Sequence, residues 1–163
     1  MNKYSIRNSF LLFTIFLIFY SIFYLYWKHD VGNDWSISEW LINYKGGFTR
    51  RGLGGGINIF FSNFFSIPLR DSIFFLQATI HSTYLIFLFI YLKDFKLNIL
   101  QIFALFSPLF LLYPIAELEA LGRKEILIFL FFIFLIFFST EKFHRNIVNL
   151  IVFIFFPILC LIW

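Results

Sequence analysis

Charge is what this chain has least of: 13% of its 163 residues are Asp, Glu, Lys or Arg, about half the share usual in soluble domains. It has one cysteine, Cys160, which excludes a disulfide scaffold. The composition also excludes a disordered chain and a coiled coil, both of which need far more polar or charged residues. No metal-ligand cluster, nucleophile triad or nucleic-acid module is visible in the residue spacing. What fills the space is apolar: 61% of residues are hydrophobic and 25% aromatic, with 28 phenylalanines. A chain this short cannot bury that much apolar surface in a water-facing globule, because surface-to-volume scaling limits burial. The composition therefore points to lipid as the solvent. A genome poor in G and C also enriches Phe, Ile, Asn and Lys over Ala, so phenylalanine abundance by itself is not a functional signal.

Five apolar runs follow, at 9–27, 72–92, 97–113, 126–138 and 147–163. The first has no charge over 19 residues, roughly 28 Å as a helix. Only helices satisfy their backbone hydrogen bonds within one segment in lipid, and none of the runs alternates as a barrel strand would. The expectation is an all-α integral membrane protein, one multispanning domain of about five transmembrane helices. The first run is too long for a signal peptide and no small-residue cleavage site follows it. The last run carries Pro157 and reaches Trp163 with no polar flank. That ending reads as a partial reading frame, the alternative being a genuine end anchored by Trp163 at the interface.

With the N-terminus inside, six basic residues are cytoplasmic (Lys3, Arg7, Lys93, Lys96, Lys142, Arg145) and seven lie outside (Lys28, Lys45, Arg50, Arg51, Arg70, Arg123, Lys124). The count alone does not orient the chain. Two features favour the N-in reading: seven of the nine acids fall on the outer side, leaving it neutral and the inner side at +4, and the long first loop can be translocated largely regardless of its charge. The basic balance is thus a topology signal, not a mark of nucleic-acid binding.

Most of the polar chemistry sits in the first outer loop, residues 28–71. Ser36 and Glu39 have capping-box spacing ahead of Trp40, Leu41 and Tyr44, which predicts a short interfacial helix. A second amphipathic helix is expected where the glycines end, with Ile57, Phe60, Phe61, Phe64 and Phe65 on one face and Pro68 as its limit. Between the two lie Arg50 and Arg51, then a run of glycines. Guanidinium groups fork onto phosphate oxygens and free amides at a helix start add donors, so this arrangement fits a lipid phosphate or pyrophosphate. Pairing with headgroups or with Glu39 is the plainer reading. Asp30 and Asp34, just past the first helix, could serve as a general base or hold a divalent cation, or be solvated loop acids.

The second outer loop, 114–125, carries Glu117, Glu119, Arg123, Lys124 and Glu125. The apolar run after it covers only about 20 Å of a core about 30 Å thick. Arg123, Lys124 and Glu125 are therefore expected at or below the outer interface, paired, lining a wet cavity or snorkelling outward. Glu119 and Arg123 have helical pairing distance. Inside the second helix Gln77 and His81 lie one turn apart, with interhelical hydrogen bonding their expected role.

The pattern Asn43-Tyr44-x-Gly46-Gly47-Phe48-x-Arg50-Arg51-Gly52-Leu53, with Gly122-Arg123-Lys124-Glu125 later, resembles multispanning proteins of bacterial surface-polysaccharide gene clusters. The layout is also similar to the start of GT-C type glycosyltransferases and exopolysaccharide polymerases. That resemblance implies sugar transfer from a polyprenyl-phosphate-linked donor at the outer face of the bacterial inner membrane. It implies Asp30 or Asp34 as base or metal ligand, and Arg50, Arg51, Arg123 and Lys124 on the phosphates. Glu39, Glu119, Glu125 and His81 would support them. Membrane lipids and other membrane subunits are the expected partners, nucleic acid is not, and the cofactor is left open with a divalent cation as candidate. The alternative is a non-enzymatic membrane subunit for lipid handling, transport or assembly.

Overall fold

A computed structural model describes residues 3–31, 35–49, 51–93, 95, 99–107, 111–117, 120–140 and 145–162. Every regular element among them is a helix: α1 Lys3–Val31, α2 Trp35–Leu41, α3 Gly52–Phe65, α4 Leu69–Leu92, α5 Ile99–Leu105, α6 Tyr113–Ala116, α7 Ile126–Thr140 and α8 Arg145–Ile162. Asp34, Arg50 and Glu119, three of the expected site residues, lie outside the described residues.

Two helical stretches, Arg7–Asp30 within α1 and Leu69–Leu92, are long and apolar enough to cross a membrane. Each rises roughly 36 Å. α4 is the central post, packed on α1 along one side and on α7 along the other. Its inward stripe runs Ile73, Gln77, Ile80, Tyr84, Leu88 and Leu92, all buried, at the three- and four-residue steps of one helix face. Tyr84 donates its hydroxyl to the Leu111 carbonyl at 2.9 Å.

α1 turns its bulk outward. Leu12, Phe16, Phe19, Phe23 and Tyr26 are exposed, while Thr14, Leu17, Ser21, Leu25 and His29 are buried. The two hydroxyls are satisfied within the helix, Thr14 on the Phe10 carbonyl and Ser21 on the Ile18 carbonyl, both at 2.9 Å. Small hydroxyl residues let helices approach closely without leaving a polar atom bare.

The run at 97–113, expected as one helix, is divided. α5 ends at Leu105, its close marked by Phe106 donating to Ile102 at 2.9 Å and Ser107 to Ala104 at 3.4 Å. Pro108 follows in the sequence, and proline has no amide to continue the ladder and disfavours helix in the residue before it. Among the described residues that follow, helix resumes as the single turn of α6, with Pro114 in its first turn.

The amphipathic helix of the first loop also differs from expectation. α3 begins at Gly52, so the glycines lie inside it rather than before it. Its buried face is Gly52, Gly54, Gly55 and Asn58, and Phe60, Phe61, Phe64 and Phe65 face outward. Gly55 shows why: a β-carbon there would stand 2.1 Å from the Ile42 carbonyl oxygen, and the Gly55 amide donates to that same oxygen at 3.1 Å. Only glycine lets α3 lie this close to the end of α2.

Candidate functional site

The turn between α6 and α7 organises the site. Gly122 takes φ +88°, a conformation open to glycine at no steric cost. Three elements grip the carbonyls this turn exposes. Lys28, from the last turn of α1, donates Nζ to the Leu121 carbonyl at 2.9 Å. Trp40 Nε1 from α2 and Gln77 Nε2 from α4 both donate to the Gly122 carbonyl, each at 2.7 Å. Because the Gln77 amide nitrogen points at Gly122, its oxygen faces His29, and His29 Nε2 donates to it at 2.9 Å. The His29 carbonyl in turn accepts from Arg70. Buried carbonyls left bare would each cost about 1–3 kcal/mol, so this set of donors fixes the turn firmly.

Beyond Gly122 the turn presents three charged side chains. Lys124 is 2% exposed and donates Nζ to the Ile162 carbonyl at 2.9 Å and to the Arg51 carbonyl at 3.3 Å. The ammonium also stands 5.9 Å from the centre of the Trp40 ring. It thereby joins the end of α8 to the start of α3. Burial holds its pKa below the ordinary lysine value; Glu39 opposes that shift, Arg51 adds to it and Glu125 opposes it.

Arg123 lies between two carboxylates, with Nη2 3.6 Å from Glu39 Oε1 and 3.2 Å from Glu125 Oε1. Glu39 comes from α2 and, at this distance, pairs across to Arg123. Arg51 caps α3 with φ +83°, a left-handed conformation that costs a non-glycine residue about 1–2 kcal/mol. The Lys124 contact to its carbonyl helps hold it there. Glu39, Arg51, Arg123, Lys124 and Glu125 together line a cleft of about 100 Å³.

Residues far apart in sequence thus meet at one end of the helices: the C-terminal ends of α1 and α8 and the N-terminal ends of α3, α4 and α7. Five expected site residues line the cleft. Asp30 does not; it is exposed on the last turn of α1. His81 is buried inside α4, its Nδ1 donating to the Gln77 carbonyl at 2.9 Å, so it steadies the helix rather than facing the cleft. Among the described residues no three His, Cys, Asp or Glu side chains are grouped as metal ligands.

The glycine-rich motif works differently from its expected use. Asn43 Oδ1 accepts from the Lys45 amide at 2.9 Å and Gly47 donates to the Tyr44 carbonyl at 3.1 Å, closing a turn in which Gly47 has φ +119°. Tyr44 and Phe48 stack with ring centres 5.7 Å apart. A β-carbon on Gly52 would strike the Tyr44 ring at 2.4 Å. These glycines serve chain packing, and the amides of Gly52 and Gly55 are already bonded to the Thr49 and Ile42 carbonyls. The residues that sequence reasoning missed are the positioning ones. Lys28 reads as a flanking charge and His29 as nothing in particular, because their partners are backbone groups or distant side chains. No family model, curated protein or solved structure matches the chain.

Proposed function

We propose that the chain is a membrane-embedded transferase or polymerase-type protein of cell-surface glycan synthesis, acting on a polyprenyl-phosphate-linked sugar. It crosses the bacterial inner membrane about five times with its N-terminus inside, and the charged cleft holds the polar head of the donor at the outer interface. One observation carries the reading: Arg51 of the first loop and Arg123 and Lys124 of the second converge on a single cleft, with Glu39 and Glu125 beside them. The outward aromatic faces of α1 and α3 support the membrane setting, since water-soluble monomers rarely expose apolar surface on that scale.

Lys124 spends hydrogen bonds on two carbonyls and acts as a strut. Arg51 is exposed at the helix cap and Arg123 is partly exposed, and in this reading both face the donor's phosphates. Asp30 or Asp34 would serve as base from the α1–α2 junction, in line with the resemblance. Arg51→Ala and Asp34→Asn are each expected to abolish glycan production while leaving the protein inserted at normal levels. Normal glycan from both variants rules the transferase out.

A second reading has its own observation. Arg123 and Lys124 are both engaged by groups of the same chain, and Asp30 does not line the cleft. This arrangement suits a non-enzymatic subunit in which these charges hold α2, α3, α7 and α8 together. Tolerance of Arg51→Lys, with no detectable sugar transfer, would favour it.

A further inference from the structure

Along one side of α3 run Gly54, Asn58, Phe61 and Phe65, at the three- and four-residue steps of a single helix face. The first two are buried against protein. Past Asn58 the row runs out of protein, and the rings of Phe61 and Phe65 are exposed. They look instead into a groove of about 570 Å³, whose other wall is Phe75, Leu76 and Thr79 of α4. Ile67, in the short link between the two helices, also lines it, so the groove begins where α3 and α4 join.

The walls leave nothing for a polar occupant. Two lining residues carry hydroxyls, and both are spent on backbone: Thr79 donates to the Phe75 carbonyl at 2.7 Å and Ser72 to the Asn58 carbonyl at 3.3 Å. The groove extends along α4 from Ser72 to Thr79, roughly 10 Å at helical rise. A partner helix, at least 10 Å across with its side chains, would displace roughly 800 Å³ over that length, more than the groove holds. A hydrocarbon chain is slender enough to enter. A straight acyl chain fills the space less fully than a prenyl chain, which carries a methyl branch on every unit, and unfilled space forfeits dispersion contacts.

α3 joins this groove to the charged cleft. Arg51, at its N-cap, lines the cleft, and Phe61 lies ten residues further along the chain, roughly 15 Å on the same helix. We infer that the α3–α4 groove holds the prenyl chain of the lipid-linked donor, with its phosphate head at Arg51. The inference rests on the proposed reading of the cleft and gives the donor's tail a separate seat.

The test uses the full chain in detergent micelles and a farnesyl phosphate carrying a diazirine on its chain, with the labelled residues mapped by mass spectrometry. Labelling falls on the walls of the groove, saturates, and is displaced by unlabelled farnesyl phosphate but not by the same concentration of phosphatidylglycerol. Thr79→Trp, which fills the groove from its exposed edge, weakens labelling by about tenfold or more. Ile86→Trp, elsewhere on the exposed side of α4, leaves it unchanged. Phe61→Ala, which removes a wall, also weakens it and serves if Thr79→Trp does not fold. The inference is overturned by labelling that misses the groove, by labelling indifferent to both variants, by equal displacement with phosphatidylglycerol, or by crosslinks from the groove to a second copy of the chain. Failure of the two ideas is separable. Saturable labelling of the groove without sugar transfer would remove only the transferase. Normal glycan from Thr79→Trp, with Arg51→Ala still abolishing it, would remove only this inference.

Discussion

Lys124 shows how much one side chain can hold. It is buried, its ammonium bridges the Arg51 and Ile162 carbonyls, and it faces the Trp40 ring. A pKa held down by burial means the folded state binds fewer protons than the unfolded state between the lowered value and the ordinary one. Stability therefore rises with pH across that window. The penalty is complete below the folded pKa and vanishes above the ordinary lysine value. The stability of the native chain minus that of Lys124→Met should thus climb through the alkaline range, as read from urea unfolding in detergent at a series of pH values. A flat or falling difference would contradict the burial of the ammonium. At neutral pH the same variant strands two carbonyls, and a loss of about 2–4 kcal/mol is expected.

At the scale of elements the decisive contact is α2 against α3. Their backbones meet at Gly55, whose amide bonds the Ile42 carbonyl, and Asn58 reinforces them by donating to the Trp40 and Gly54 carbonyls at 3.2 Å each. A methyl group at Gly55 has nowhere to go, because the atoms it meets belong to backbone. At Gly56, one residue on, the nearest atom to such a methyl is 3.9 Å away. Gly55→Ala should cost about 2–3 kcal/mol through forced separation of the helices. Gly56→Ala should be neutral or stabilising by about 0.5–1 kcal/mol, from helix propensity alone. Paired thermal melts of the two variants check this, and equal effects would mean that α3 does not lie on α2 as described. The same contact explains why the outward face of α3 is aromatic: glycines and Asn58 occupy the side that touches protein. Its 3.6-residue periodicity was readable in the sequence, but the direction of the face was not, since an apolar stripe points inward in water and outward in lipid.

For the whole molecule, the ends of α1 and α8 and the starts of α3, α4 and α7 share one end, and the segment after α4 belongs to the other. In the proposed topology the first end is outside. Ser66 and Phe95 are both exposed, on opposite sides of α4. In a Cys160→Ala background, Ser66→Cys should react with a membrane-impermeant maleimide in intact cells, and Phe95→Cys only after permeabilisation. Reaction of both, or the reverse order, would overturn the topology.

The helices at the start of the chain and at 69–92 follow from the sequence alone, because hydropathy and helical periodicity are local properties. So does the suspicion that Arg51 and the 123–125 cluster matter, since charges are conspicuous in so apolar a chain. Their meeting in one cleft is a tertiary result. The groups that bring it about are the carbonyls of Leu121, Gly122, Arg51 and Ile162. Every residue type carries a carbonyl, so nothing in the sequence distinguishes these four, and their donors Lys28, Trp40, Gln77 and Lys124 cannot be matched to them by pattern. The role of the glycines was decided in the same way. A gap for a ligand and a gap for a neighbouring helix are written with the same residue, and only the position of the Ile42 carbonyl separates them. The scarcity of charge determined where to look; the fold determined that Lys28 and Lys124 are spent on backbone carbonyls and Arg123 on two carboxylates.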